Sequence, residues 1–380
     1  MSIREGGLRV VLFFTRGVSL RTWDKGGMFA REVALYKRLQ ERGVHVTFVT
    51  YGDEGDLEYA DRIPGITICC NQSQAPPPKD GELPDWLDAD AMRSADLIKT
   101  NQTDGAEIAL RAARRFEKPL IARCGYMWSE FLARQHGEDS PQARRSRDIE
   151  QRVFHAANRV VVTTEAMKTS IVARFASLAG RVHVIPNYVD VRRFRPARDG
   201  QTRPNRLCYV GRLEQVQKNL RSLVAAIRDL DVEVDVIGDG PLRSELEAES
   251  AADPRLRLLG NLPNDRLPEH ISTCAAFVLP SFYEGHPKAL IEAMACGVPV
   301  IGTDVPGIRD VIRHGVTGWL CGTEADSLRA AIRTVLGDPC LASRLARNAR
   351  QFVMEHYALD RIVELELAMY RETLGAPVGV

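Results

Sequence analysis

Two glutamates, Glu284 and Glu292, stand eight residues apart in the stretch YEGHPKALIEAMACGVPVIG, residues 283–302. Proline is favoured at the first position of a helix, where its missing N–H is not needed. The spacing therefore predicts a helix over Pro287–Cys296, with Gly297 as its left-handed end. Glu284 then lies in the loop before the helix, and Glu292 lies on the second helical turn.

This arrangement suits the binding of an anion that carries hydroxyl groups on both sides. A helix N-terminus presents free N–H groups and a positive dipole end to a phosphate, and Gly285 would let the backbone approach closely. The two carboxylates could accept hydrogen bonds from hydroxyls on either side, which is the layout of a nucleotide sugar. The alternative is an ordinary strand–loop–helix connection with one capping carboxylate and one exposed glutamate.

Two permanent cations occur in a second stretch, YVGRLEQVQKNL, which follows the predicted strand RLCYV. Gly211 supplies a tight turn, and Arg212 and Lys218 could neutralise a diphosphate. Either residue alone would fit a turn with surface charges equally well. The stretch VIGDGPLRSELE is another predicted strand–turn–helix. Its Gly238 and Gly240 permit close backbone approach or serve a structural turn.

The elements that must position these residues follow one pattern along the chain. Short β-branched runs such as LRVVLFF, VHVTFVT, RLCYVGR and AAFVLPS alternate with helical patterns. Such alternation predicts an α/β fold of two Rossmann-like, doubly wound parallel-sheet domains facing a cleft. A proline- and glycine-containing stretch separates the two series. We therefore assign residues 1–187 to an N-terminal domain, 188–204 to a linker, 205–354 to a C-terminal domain and 355–380 to a C-terminal helix.

The first half contributes a glycine pair and a proline run. Gly26 and Gly27 follow the first strand and precede a long amphipathic helix, so we expect them in a substrate-contacting loop. The stretch NQSQAPPPKDGELPDW has the composition of a surface loop, and its three prolines favour an extended backbone.

Composition excludes several classes of protein. The 380 residues carry 51 Lys and Arg against 50 Asp and Glu, so no overall positive field would attract nucleic acid. The eight cysteines form no CxxC pair, which indicates a reducing compartment and no zinc site. The apolar run VVLFF is too short for a membrane span. These features predict a cytoplasmic protein. One basic cluster is interpreted as a solvated helix face or, alternatively, as a weak contact with anionic lipid (Arg144, Arg145, Arg147, Arg152 and Arg159).

Several of these motifs together resemble the retaining glycosyltransferases of glycosyltransferase family 4, which have the two-domain GT-B fold. The resemblance rests on IPNYVDVRRFRP, YVGRLEQVQKN, VIGDGPLRSELE, LLGNLPNDRLPEHI and SFYEGHPKALIEAMACGVPVIGTDVPGIRDVI. These motifs span residues 183–322 in the order found in the family. The first half resembles the family mainly in its opening strand, its glycine loop and its architecture.

The resemblance implies a role for each matching residue. Glu284 would contact the hydroxyls of the donor sugar, Glu292 would hold the ribose diol, and Arg212 and Lys218 would neutralise the donor diphosphate. The remaining donor-site positions are Gly285, His286, Pro287, Lys288, Ala289 and Leu290 at the sugar and phosphates, Gly238, and Asn261 and Leu262 at the base. Gly26 and Gly27 would form the loop near the phosphates and the acceptor. The C-terminal helix would cross back to the N-terminal domain.

The sequence departs from the family at one place. Many members have a histidine near the donor sugar, after a first-domain strand, whereas this chain reads LIARCGYMWSEF there. Arg123 or Tyr126 would fill an equivalent polar role, or the acceptor side is built differently.

The implied function is the transfer of a hexose from a UDP- or GDP-sugar to a hydroxyl of a glycan, a lipid-linked carrier or a small molecule, with retention of configuration. It implies surface polysaccharide biosynthesis in the cytoplasm or at the inner face of the membrane, with no metal and no cofactor besides the donor. A nucleotide-sugar epimerase of the same fold and a non-catalytic nucleotide-sugar-binding subunit are the alternatives. A metal-dependent transferase would need an Asp-x-Asp motif, and Asp88–Asp90 is interpreted as a chance match. An NAD dehydrogenase fits poorly, because no GxGxxG follows the first strand.

Overall fold

The computed structural model describes residues 7–73, 82–198 and 200–375. The chain divides into two compact units: unit 1 comprises Met1–Pro186 with Ile362–Val380, and unit 2 comprises Asn187–Arg361. The segment 188–204, expected to be a linker, falls within unit 2. The run of three prolines, residues 76–78, lies outside the described residues.

Unit 1 contains one parallel sheet with helices between its strands. Its elements are β1 Leu8–Phe13, α1 Leu20–Lys25, α2 Phe29–Glu41, β2 Val44–Asp53, a 3₁₀ helix Glu54–Arg62, β3 Thr67–Asn71, α3 Ala89–Ser94, β4 Leu97–Thr100, α4 Ala106–Arg115, β5 Leu120–Cys124, α5 Trp128–His136, α6 Pro141–Ala156, β6 Arg159–Val162, α7 Glu165–Arg174, a 3₁₀ turn Ala176–Leu178 and β7 Val182–Val184. The described strands pair in the order β3-β2-β1-β4-β5-β6-β7, all parallel. The order reverses between β1 and β4, which makes this pair the topological switch point of the unit.

Unit 2 repeats the architecture with a sheet of its own. Its elements are β8 Arg203–Val210, α8 Leu220–Ile227, β9 Glu233–Ile237, α9 Arg243–Ala252, β10 Leu256–Gly260, α10 Leu267–Ile271, β11 Cys274–Leu279, α11 Lys288–Ala295, β12 Val300–Thr303, β13 Trp319–Cys321, α12 Ala325–Gly337 and α13 Pro339–His356. The last helix, α14 Leu359–Gly375, belongs to unit 1 from Ile362 onwards. The order is β10-β9-β8-β11-β12-β13, again parallel. The two doubly wound parallel sheets confirm the predicted fold class.

The sequence explains why the sheets are covered on both faces. Successive residues of a strand point to opposite faces, and on β4 the neighbours Ile98 and Lys99 do so. Ile98 belongs to an apolar core with residues of α4 and α6. Lys99 instead meets Glu366 and Tyr370 of α14. Both faces of β4 are therefore buried, as the continuous apolar runs predicted.

The contact of Lys99 with α14 is a buried ion pair inside unit 1. The Lys99 ammonium donates to Glu366 Oε1 at 2.6 Å and to the Tyr370 hydroxyl at 3.4 Å, and both charged side chains are almost fully buried. Burial lowers the pKa of Lys99, and the Glu366 carboxylate opposes that shift. Breaking such a pair from one side is strongly unfavourable, because it leaves a buried charge without compensation.

The C-terminal segment differs from the expected single helix starting at residue 355. The helical pattern runs through Tyr357 and Ala358, but α13 ends at His356 and α14 begins at Leu359. The break arises because Val189 pairs with this point: its N–H donates to the Tyr357 carbonyl at 2.9 Å and its carbonyl accepts from Leu359 N–H at 2.9 Å. A tertiary backbone pairing has therefore replaced two helical hydrogen bonds.

The Asp-x-Asp match has a local structural role. Asp88 is the N-cap of α3, and its carboxylate accepts from the N–H groups of Asp90 and Ala91 at 2.9 and 3.0 Å. Asp90 is exposed and pairs with Arg93. Within the described ranges, no cluster of three or more His, Cys, Asp or Glu side chains could hold a metal ion.

The basic cluster falls on α6 and at the start of β6. Arg144 and Arg145 are exposed, Arg152 pairs with Asp148 on the same helix, and Arg159 pairs with Glu372. This pattern fits a solvated helix face. Among residues 7–73, 82–198 and 200–375, none of the helices is both long and apolar enough to span a bilayer.

Candidate active site

The predicted donor-site residues of unit 2 gather at the switch point of its sheet. The strand order reverses between β8 and β11, and ligands of open α/β sheets bind outside the carboxyl ends of the strands at such a point. The loop 211–219 follows β8, and the loop 280–287 follows β11. The two loops contact each other, because Phe282 N–H donates to the Gln217 carbonyl at 2.8 Å.

Lys218 and Glu284 form the central contact between these loops. The Lys218 ammonium lies 2.7 Å from Glu284 Oε1, and their side chains are 17% and 8% exposed. Ser281 donates its hydroxyl to the same oxygen at 2.7 Å, and Gln217 donates to Oε2 at 3.3 Å. One cation and two neutral donors therefore fix the position of this partly buried carboxylate.

Arg212 is exposed and begins the same loop. Among the residues described, it has no acidic partner, in contrast to the nearby Arg221, Arg228 and Arg243. Its carbonyl accepts the Tyr209 hydroxyl at 2.9 Å. Burial, followed by the nearby charge of Glu284, raises the pKa of Tyr209, so this phenol stays a donor and fixes the backbone from which Arg212 projects.

Glu292 is not the exposed glutamate of the simpler alternative. It lies on the second turn of α11 and is only 1% exposed. Asn264, which follows β10, donates its amide to Glu292 Oε1 at 2.8 Å. A carboxylate is rarely buried to this extent unless it is hydrogen-bonded, and here the segment after β10 supplies the donor.

The start of α11 lies one residue later than predicted. Pro287 has extended backbone angles and precedes the first helical residue, Lys288, while Gly297 has the left-handed φ of 67° expected at the helix end. His286 is buried edge-on against the ring of Tyr357, with the ring centroids 4.9 Å apart. Its carbonyl accepts the Asn187 amide at 2.7 Å. Its contacts therefore fix the loop that holds Gly285.

The close backbone approach that Gly238 permits is to the loop after β8. Gly238 has φ 145°, and a Cβ atom there would lie 1.9 Å from the Gly211 carbonyl oxygen. Backbone bonds join the two segments, from Gly211 N–H to Ile237 and from Leu213 N–H to Asp239. The glycine thus positions the backbone on both sides of Arg212.

The positions predicted to meet the base follow β10 directly. Asn261 is exposed, and Leu262 is partly buried against the core of unit 2. Both lie at the carboxyl end of the sheet, three and two residues before Asn264, the partner of Glu292.

The sequence analysis did not identify Asn219, although its side chain makes four hydrogen bonds at the site. It is fully buried with a left-handed φ of 53°, and its amide donates to the carbonyls of Pro280 and Thr323 at 3.0 and 2.8 Å. Its side-chain oxygen accepts from Gln215 and Ser222. An asparagine before a helix usually indicates an N-cap, but this side chain makes no capping bond and joins three loops.

Gly307 was also missed. A Cβ atom at Gly307 would lie 2.3 Å from the Glu284 carbonyl oxygen, and its φ is 83°. The adjoining Pro306 carbonyl accepts Glu284 N–H at 3.2 Å. The turn sequence DVPG after β12 was the available indication, since a Pro-Gly pair marks a turn.

Replacing Asn219 with alanine is expected to destabilise unit 2 by about 2–4 kcal/mol, because two carbonyls lose their donor and alanine disfavours the left-handed backbone. Asn219→Gly should restore only the part of this stability that alanine loses through the left-handed backbone, which is the smaller part. Urea unfolding measures both. The matched control, Asn348→Ala, removes one bond at the surface and should cost less than about 1 kcal/mol. Equal unfolding midpoints for Asn219→Ala and the wild type would contradict this role.

In unit 1, the glycine pair ends a short helix that the sequence analysis did not predict. Gly26 N–H donates to the Thr22 carbonyl, and Gly27 N–H donates to Asp24 with a φ of 69°. The chain then enters α2 at Phe29. The pair therefore joins α1 to α2, and the loop that directly follows β1 is residues 14–19.

Arg123 and Tyr126 lie at the carboxyl end of β5, in the same unit. Arg123 donates to the Asn101 carbonyl at 3.3 Å, and Gly125 N–H donates to the Gln102 side chain at 2.8 Å. Burial raises the pKa of Tyr126 to about 12, so its hydroxyl stays protonated near neutral pH. The segments after β4 and β5 thus contact each other at one edge of the sheet.

Family models match both halves of this chain. The family model "Glycosyl transferases group 1" matches residues 190–352, and "Glycosyltransferase Family 4" matches residues 25–193. The D-inositol 3-phosphate glycosyltransferase of Acidothermus cellulolyticus is 28% identical over 93% of this chain and 87% of the relative. The glycogen synthase of Mycobacterium tuberculosis is 30% identical over 75% of this chain and 70% of the relative.

Among solved structures, Anabaena Alr3699/HepE in complex with UDP and glucose has a TM-score of 0.77 and 18% identity, over 96% of this chain and 100% of that chain. Two parallel-sheet α/β units with such a neighbour define the GT-B class. The chain belongs to the glycosyltransferases of this class, with its group 1 domain in unit 2.

Proposed function

We propose that this enzyme is a retaining hexosyltransferase of glycosyltransferase family 4 that takes its sugar from a nucleotide diphosphate sugar, UDP- or GDP-linked. The acceptor hydroxyl belongs to a glycan, a lipid-linked carrier or a small molecule of surface polysaccharide biosynthesis. The single observation that supports this most is the contact of Lys218 with Glu284 at the switch point, on the loop that also carries the exposed Arg212.

The residues of the site bind different parts of the donor. Arg212 and Lys218 neutralise the diphosphate and the charge that develops on it as the sugar–oxygen bond breaks. Glu284, held by Ser281 and Gln217, accepts hydrogen bonds from sugar hydroxyls. The N–H groups at the start of α11, residues 288–290, face a phosphate, because the first N–H groups of a helix have no intrahelical partner.

Glu292 accepts hydrogen bonds from the ribose diol through the oxygen that Asn264 does not bind. The base lies beside Asn261 and Leu262. No side chain of the site is assigned as a nucleophile, and positioning and electrostatic stabilisation provide the rate. Gly26 and Gly27 remain the proposed phosphate and acceptor loop of unit 1, with Arg123 and Tyr126 as further sugar contacts. The enzyme acts without a metal, in the cytoplasm or at the inner face of the membrane.

Thermal stabilisation by nucleotides tests the donor site. UDP, GDP, ADP and CMP are added to the purified protein, followed by the sugar conjugates of the best one. UDP is the first choice, because the structure of Alr3699/HepE contains it. A ligand at a hundred times its Kd adds about 2.7 kcal/mol to the free energy of unfolding, enough for a clear rise in Tm.

We expect one diphosphate nucleotide to raise Tm more than the others, with no change on adding EDTA. The anomeric configuration of the product, read by NMR from the coupling constant of the new linkage, tests retention. If no nucleotide raises Tm, the donor site is wrong. If EDTA abolishes transfer and magnesium or manganese restores it, metal independence is wrong.

A further inference from the structure

The switch point of unit 1 carries a polar cluster that the donor chemistry does not use. Arg16 follows β1, and residues 101–105 follow β4, the two strands between which the order reverses. Arg16 N–H donates to the Asp104 carbonyl at 3.2 Å, and the Arg16 guanidinium lies 3.4 Å from the Asp104 carboxylate. The cluster therefore occupies the edge of the sheet at which open α/β units bind their ligands.

Glu107 is the most buried member of this cluster. It stands in the first turn of α4 and is 7% exposed. The Arg16 guanidinium donates to Glu107 Oε1, whereas Oε2 has no hydrogen-bond partner among the described residues. A buried carboxylate oxygen normally accepts at least one hydrogen bond. A purely structural pairing with Arg16 uses only Oε1 and leaves the second acceptor unexplained.

Tyr51 provides a second such group at the carboxyl end of β2. Its hydroxyl is buried and, within the described part of the chain, makes no hydrogen bond. Burial raises its pKa, so the hydroxyl is protonated and can both donate and accept. Gly105, with φ 87°, allows Tyr51 and the Arg16 backbone to come close to the segment after β4. A Cβ atom at Gly105 would lie 3.1 Å from the Tyr51 hydroxyl and 3.0 Å from Arg16 N.

The charges of the cluster indicate what it binds. Two carboxylates, Asp104 and Glu107, stand against Arg16, with Arg145 acting on Asp104 from α6. Two negative and two positive charges leave no excess positive charge for a phosphate. A carboxylate oxygen and a phenol together match a pair of hydroxyl groups on a neutral molecule.

We propose that Tyr51 and Glu107 bind two hydroxyl groups of the acceptor. The part of the acceptor that they bind is a neutral cyclic polyol or sugar. The Arg16 guanidinium lies against the Glu107 carboxylate, and its charge acts on Tyr51. The Arg16 side chain is 39% exposed and unbranched, so its rotation away from Glu107 opens the path for a ligand hydroxyl. The identification of this ligand as the acceptor rests on the proposed transferase function. The binding of a polyol at Tyr51 and Glu107 does not depend on the donor site.

Binding of neutral polyols to the full chain tests the proposal. Saturation-transfer NMR is recorded with myo-inositol and D-glucose as cyclic probes, with glycerol as an acyclic one, and with and without the nucleotide that most raises Tm. Tyr51→Phe removes only the hydroxyl. Glu107→Gln keeps an oxygen for Arg16 but replaces the second acceptor with an NH₂ donor. Glu117→Gln is the matched control, an exposed carboxylate beyond the opposite end of α4.

We expect at least one cyclic probe to bind the wild type and Glu117→Gln equally, and to bind each of the other two variants at least tenfold more weakly. Inorganic phosphate should not displace it. Nucleotide-induced changes in Tm should be the same in all four proteins. If no cyclic probe binds the wild type, if Tyr51→Phe and Glu107→Gln bind as the wild type does, or if phosphate displaces the probe, the proposal is overturned. Polyol binding that depends on Tyr51 and Glu107, without any nucleotide binding, would instead overturn the transferase function and leave this site standing.

Discussion

Replacing Lys218 with alanine is expected to lower the transfer rate about 1,000-fold, because a cation at the departing diphosphate contributes about 4 kcal/mol to transition-state stabilisation. The loss should appear in kcat at saturating donor. Lys218 also neutralises Glu284, whose side chain is 8% exposed. Ser281 and Gln217 still donate to that carboxylate, so we expect a loss of about 1–3 kcal/mol in the free energy of unfolding and a folded protein at 25 °C.

Arg221→Ala is the matched control for Lys218→Ala. Arg221 lies three residues further along the chain and pairs with Glu245 at 2.7 Å, but both side chains are more than 40% exposed. An exposed pair contributes about 1 kcal/mol or less. The control should therefore keep the wild-type kcat with a small change in Tm. Wild-type transfer by a folded Lys218→Ala protein would remove Lys218 from the site.

Replacing Glu292 with glutamine is expected to weaken nucleotide binding about 100-fold, since hydrogen bonds to a charged acceptor contribute about 3 kcal/mol. Glutamine keeps the shape of the side chain and can still accept from Asn264. Its second terminal atom becomes a donor and can no longer accept from a ribose hydroxyl. Calorimetric titration with the best nucleotide and with its 2′-deoxy form measures the effect.

The 2′-deoxy comparison separates a ribose contact from general damage to the site. The wild type should bind the deoxy nucleotide much more weakly, whereas Glu292→Gln should scarcely distinguish the two. Glu355→Gln, an exposed substitution on α13 whose carboxylate accepts from Gln351, is the control and should bind both as the wild type does. If Glu292→Gln keeps the preference for the ribose form, Glu292 does not bind the diol.

The sequence predicted those parts of the fold that depend on local patterns. Continuous apolar runs such as VVLF in β1 and AAFVL in β11 sit in sheets covered on both faces, and such runs are readable without tertiary information. The loop with Glu284 and the helix with Glu292 were also predicted from a local pattern. A proline near the start and a glycine after the end of α11 indicate its limits to within one residue.

Contacts between distant segments could not be predicted. Asn219 bonds to carbonyls 61 and 104 residues away, and nothing near it in the sequence indicates either partner. Asn264 and Glu292 are 28 residues apart and meet only because the carboxyl ends of β10 and β11 share one edge. The three-residue strand β13, Trp319–Cys321, is too short to show any alternation.

Local propensity was also overridden where tertiary contacts compete with it. The residues around Tyr357 continue a good helical pattern, yet Val189 pairs with the backbone there and divides the helix in two. The 3₁₀ helix Glu54–Arg62 was missed similarly. Its Asp56 carboxylate accepts from Leu20 N–H, Arg21 N–H and the Thr50 hydroxyl, and these partners lie in two other segments of unit 1.

The buried contact of Lys99 with Glu366 has a consequence for biosynthesis. Residues 362–375 leave the ribosome after all of unit 2 has been made, yet they supply the partner of a charge inside unit 1. Until then Lys99 has to remain hydrated, so the nascent N-terminal half cannot close its sheet fully on that face. Unit 1 is therefore expected to reach its final stability only after the whole of unit 2 has been synthesised.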